Sequence, residues 1–82
     1  MNHDQKTKSE IFKIACRVTE RECPDDFAKS YARVGIELQD AEAQRVQALY
    51  ILSNIGSWRG SLANLIREIF QIIGKVPERN RD

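Results

Sequence analysis

Two strongly apolar stretches between Asp40 and Lys75 flank the short break Gly56-Ser57-Trp58-Arg59-Gly60, and this arrangement constrains the chain more than any other feature. Apolar residues spaced by three and four on both sides of a glycine-bounded break describe a helical hairpin rather than paired strands. The break holds the only Trp and two of the four glycines. A small protein built on such a hairpin concentrates its core there, together with any binding face it has.

Eighty-two residues make one domain, 1–82, near the lower limit for folding without disulfides or metals. A core of that size supplies no more than about 3 to 5 kcal/mol, so an additional exposed apolar face favours a homodimer or a protein partner. Apolar residues at 41% and charged residues at 30% belong to a globular chain rather than a disordered tail. The net charge of +1 argues against a dominant polyanion footprint; residues 1–40 carry seven basic and eight acidic groups, residues 41–82 six and four. The polar start Met1-Asn2-His3-Asp4-Gln5-Lys6 is unlike a secretory signal, and no run is long enough to span a bilayer. The expected location is cytoplasmic, in a bacterial cell or in a host cell if the gene is viral, with no membrane association. Cys16 and Cys23 on one helix would have Cα atoms roughly 10 Å apart, beyond the about 4.4 to 6.8 Å of a disulfide. Reduced thiols are expected.

Four helices are expected, at about 8–22, 25–34, 41–55 and 59–73, in an all-α compact bundle or orthogonal array with mobile ends at about 1–6 and 76–82. Thr7-Lys8-Ser9-Glu10 matches a capping box, and Ile11, Ile14, Ala15 and Val18 then follow on one face, widened by Phe12 and Cys16. Pro24 ends this helix, and Pro24-Asp25-Asp26 starts the next with acids against its positive end. Phe27, Tyr31, Val34 and Leu38 share a face, while Gly35 before Ile36 reads as a left-handed C-terminal cap near Val34. Asp40 caps a third helix whose second half is apolar almost all round, which marks it as central. Ser57 or Ser61 caps a fourth, in which Leu62, Leu65, Ile66, Ile69, Phe70 and Ile73 recur without a miss, and Gly74 with Pro77 ends it.

Catalysis needs convergent titratable groups, and this chain has a single histidine, His3, near its start. It has no Cys/His cluster at zinc spacing, no glycine-rich phosphate loop and no carboxylate pair on an apolar helix face. The expectation is a non-enzyme with no cofactor, no metal and no small-molecule ligand. Cys23 precedes a helix start, where the dipole lowers a thiol pKa, yet no base accompanies it, and a small filler is the plainer reading. Cys16 reads as core, and Tyr31 and Tyr50 as core aromatics with hydroxyls reaching water.

Trp58-Arg59-Gly60 is the most suggestive cluster. An indole beside a guanidinium at a corner is the composition of a partner anchor, and it is equally that of a Trp lid folded onto its own hairpin. The first reading places a protein partner on Trp58, Arg59 and Arg67. A nucleic-acid reading places phosphates along Arg59, Arg67, Lys75, Arg79 and Arg81, interrupted by Glu68, Glu78 and Asp82.

The segment Ala48-Leu49-Tyr50-Ile51-Leu52-Ser53-Asn54-Ile55, then Trp58-Arg59-Gly60 and 63–69, resembles a segment of small helical proteins of bacteria and bacteriophages. That resemblance covers about the last 40% of the chain and implies a phage or mobile-element origin. It brings no known activity, and no residue role is carried over. The expected function is a protein-interaction module, an accessory or inhibitory factor that self-associates or binds a larger protein; the alternative is a small nucleic-acid-binding regulator.

Overall fold

Asp4, Gln5 and Lys6 contain no helix breaker, so the first helix has no reason to wait for Thr7. In the computed structural model, which describes residues 3–75 with side chains from Thr7 onward, α1 runs His3–Glu22. The start expected at the Thr7 capping box is therefore corrected: Thr7 lies inside a helix already under way. The tail expected to be mobile at 76–82, and with it Pro77, lies outside the described residues.

α2 spans Asp26–Glu37, α3 Ala41–Leu52 and α4 Ser61–Gly74. Asp25 and Asp40 are the N-caps of α2 and α3, each carboxylate accepting from the backbone N–H three residues on, Ala28 and Ala43, at 2.9 Å. α3 ends three residues before the expected Ile55, with Ser53 and Asn54 turning back onto Leu49, Tyr50 and Ile51 carbonyls. The N-cap of α4 is Gly60 at φ 113 and ψ 171, with no side-chain cap, so neither Ser57 nor Ser61 plays the expected part.

Gly35 is a further correction. It is helical and buried, and α2 continues past it to Glu37. A Cβ at this position would lie 2.7 Å from the Sγ of Cys16 and 3.1 Å from the ring of Phe12. Its job is close approach of α2 to α1, a tertiary need, rather than a left-handed cap.

Direction follows from contacts. Arg33 bonds Glu20 at 2.8 Å while Gly35 meets Cys16 and Phe12, so α2 runs antiparallel to α1. Gln47 reaches the Tyr31 carbonyl and Gln44 the Leu38 carbonyl, which sets α3 antiparallel to α2. Gly74 faces Ala48 and Leu49, while Arg67 reaches Ile55, so α4 returns antiparallel to α3. The four helices close a ring in which α1 also meets α4. α1 and α3 touch every other helix; α2 and α4 sit across the long diagonal without contact. The expected central role of α3 is thus shared with α1.

The core is lined by Phe12, Ala15, Cys16, Cys23, Ala28, Ala32, Ala48, Ile51, Ile55, Trp58, Ala63, Ile66 and Phe70. Phe12 and Phe70 meet edge to face with centroids 5.9 Å apart, an arrangement worth about 0.5–1.5 kcal/mol beyond its buried area. Buried polar groups are satisfied: Thr19 donates to the Ala15 carbonyl, and the Gln44 amide donates to Ser9 and Leu38. No buried side-chain polar atom among the described residues lacks a partner.

Candidate functional site

The helical periods in the sequence are real, but in three helices part of the expected stripe lies outside the core. In α1 the inward row is Phe12, Ala15, Cys16 and Thr19, continued by Cys23 just past its end, and Ile11 and Ile14 are exposed. In α2 the inward row is Ala28, Ala32 and Gly35, with Phe27 and Val34 outside. In α4 it is Ala63, Ile66, Phe70 and Gly74, with Leu62, Leu65 and Ile72 outside. The small residues admit close helix approach and the larger aliphatics are displaced to the flanks. The expected stripes therefore hold for Phe12, Ala15, Cys16, Ile66 and Phe70, which are core, and fail for Ile11, Ile14, Phe27, Val34, Leu62 and Leu65, which are exposed. The available signal was excess: the apolar arc of α4 is too wide for one buried face.

Two apolar flanks result. On the α2–α3 edge, Phe27 is 69% exposed and Tyr50 51% exposed, and Tyr50 stacks on Tyr31 with centroids 5.6 Å apart. These tyrosines are partly outside the core in which they were expected. On the opposite edge, Ile11 and Ile14 of α1 and Leu62, Leu65 and Ile72 of α4 are exposed. The helical phase of about 100° per residue places Ile11, Ile14 and Val18 on the flank of α1 away from α2, and Leu62, Leu65, Ile69 and Ile72 on the flank of α4 away from α3. Because α1 and α4 are neighbours in the ring, the two rows adjoin.

The Trp58 corner is packed into the fold. Trp58 is only 7% exposed and belongs to the core, while Arg59 beside it is exposed. Arg67 donates to the Trp58 carbonyl at 2.8 Å, the Ile55 carbonyl at 3.1 Å and Asn64 Oδ1 at 2.9 Å. It thereby pairs the Trp58 carbonyl and adds a second donor to the Ile55 carbonyl, which also accepts the Trp58 N–H, in the turns after α3 ends. Of the three residues expected to form a partner anchor, Arg59 is exposed, Arg67 is half-buried and Trp58 is buried. Of the five expected for phosphate, Arg59 and Lys75 are exposed at opposite ends of α4, Arg67 is engaged at the corner, and Arg79 and Arg81 lie outside the described residues.

Cys16 and Cys23 are both free and buried, as the expected reduced state requires. Burial pushes the Cys16 thiol up to about 12 from its ordinary 9.0, and burial likewise raises that of Cys23 against the hydrogen bond to the Asp25 backbone. A thiolate activated by the start of α2 is thus opposed by desolvation. Among the described residues no three His, Cys, Asp or Glu side chains converge to hold a metal ion, and no helix is long and apolar enough to cross a membrane. Compared with known proteins, the chain matches no family model, no curated protein and no solved structure.

Proposed function

We infer that this protein is a non-enzymatic protein-interaction module. One observation carries the reading: large apolar side chains line two opposite edges of the helix ring although the core is already filled and its polar groups are paired. Exposed apolar patches of this kind, rimmed by charge, mark association surfaces. The binding face shifts from the Trp58 corner to these edges, because the indole supports the fold from within. The aromatic α2–α3 edge, with Phe27, Tyr31 and Tyr50, has the composition of a hot spot for a larger protein.

The test is affinity capture with the wild-type chain against Phe27→Ser/Tyr50→Ser, both at exposed positions. A protein captured by the wild type and lost from the variant, with helicity unchanged, supports the module. Capture unaltered by that pair and by polar substitutions on the α1–α4 edge defeats it. Binding to mixed duplexes that falls steeply with salt would instead favour the nucleic-acid regulator, since each neutralised phosphate adds about 0.9 to the log–log slope.

A further inference from the structure

We propose that the α1–α4 edge is a homodimer interface, in which α1 of each copy lies across α4 of the other about a two-fold axis parallel to the helices. The proposal rests on the interaction-module reading and names both a surface and its occupant.

Three observations select a second copy. The outer row of α4, Leu62, Leu65, Ile69 and Ile72, is spaced three, four and three, the seam spacing by which helices interdigitate with other helices. Its neighbour row on α1, Ile11, Ile14 and Val18, is also purely aliphatic, so the surface resembles half of a helical core.

Area is the second. Ile11, Ile14, Leu62, Leu65 and Ile72 are each 39% to 62% exposed. They leave on the order of 500 Å² per copy, so pairing two copies covers on the order of 1,000 Å² before the rim is counted, the lower bound for a specific interface. The two rows lie on neighbouring flanks, and a two-fold operation sets each row against the other row of the second copy.

Charge order is the third. Beyond the aliphatic row, the rim of α1 carries Glu10 and Arg17 and the rim of α4 carries Glu68 and Lys75, all exposed and none in an ion pair among the described residues. The Phe12–Phe70 contact serves as the height reference between the two helices. With α1 and α4 antiparallel, Glu68 is level with position 14 and Lys75 with position 7. Glu10 and Arg17 are then each offset by three residues, about 4.5 Å, from an opposite charge on the facing helix, within side-chain reach. Rotation about the proposed axis sets Arg17 against Glu68 of the partner subunit and Glu10 against Lys75 of the partner subunit. Both pairs are opposite in sign in the same register.

Light scattering across concentration decides it. The wild type is expected at twice 9.5 kDa. Leu65→Glu and, separately, Ile72→Lys should each weaken association by about a hundredfold, because each places an unpaired charge in an apolar seam. Arg17→Glu should weaken it without touching the apolar rows, and Arg17→Glu/Glu68→Arg should restore it. Phe27→Glu, on the far edge, should leave the mass unchanged. Circular dichroism of each variant separates dissociation from unfolding. A wild type that stays monomeric into the millimolar range overturns the dimer while leaving capture through the α2–α3 edge to stand or fall separately. A dimer indifferent to Leu65→Glu and Ile72→Lys, or lost with Phe27→Glu, overturns this surface, and failure of the charge reversal to rescue overturns the proposed axis.

Discussion

Gly60 holds a backbone conformation, φ 113 and ψ 171, that side chains with a Cβ essentially never adopt. Gly56, four residues earlier, has an ordinary φ and open space where a Cβ would go. The two glycines that bound the corner in the sequence are thus unequal. Gly60→Ala is expected to cost about 1–3 kcal/mol, whereas Gly56→Ala should be neutral or raise stability by about 0.5 kcal/mol through the unfolded chain. Urea unfolding of both variants checks the contrast, and equal losses would refute it. The sequence located this corner but left the role of Trp58 open, since an indole beside a guanidinium suits both burial and display. What decides is Arg67, seven residues past Gly60, whose guanidinium closes over the carbonyls of Ile55 and Trp58. Its position on α4 was visible; the turns that bring the Ile55 and Trp58 carbonyls to it depended on α3 ending early at Leu52.

At the scale of elements, signals that act within a few residues were legible. Asp25 and Asp40 cap their helices as expected because a cap is completed by the next turn of the same helix. Signals that depend on a neighbour were not. Gly35 has the sequence context of a helix end, yet it is the point where α2 presses against Cys16 and Phe12. Intrinsic propensity alone would make Gly35→Ala stabilising by up to about 1 kcal/mol. The 2.7 Å approach to the Cys16 Sγ predicts a net loss instead. Adding Cys16→Ala should recover much of that loss, giving a coupling of at least about 0.5 kcal/mol in a double-mutant cycle read by denaturant unfolding. Additive effects of the two changes would show that the helices are not in contact there. The same cause explains the parts of the faces of α1, α2 and α4 that fell outside the expected stripes: rows such as Ala28, Ala32 and Gly35 are core because helices meet closely on them, and their low hydrophobicity conceals this in the sequence.

For the whole molecule, the all-α class and the four helices were readable from periodicity and breaks, but the ring order and its two apolar edges emerge only when the contacts are assembled. That order separates the flank proposed for self-association from the aromatic flank across the ring, so one chain has room for a second copy and another protein at once. It also gives the molecule a built-in optical reporter. The sole indole is sealed inside the α3–α4 corner and belongs to neither edge. Its emission should be blue-shifted and poorly quenched by iodide in the folded chain, unchanged when copies associate along α1 and α4, and red-shifted only when the corner opens. Fluorescence titrated against concentration and against urea would therefore report the integrity of the fold independently of its assembly.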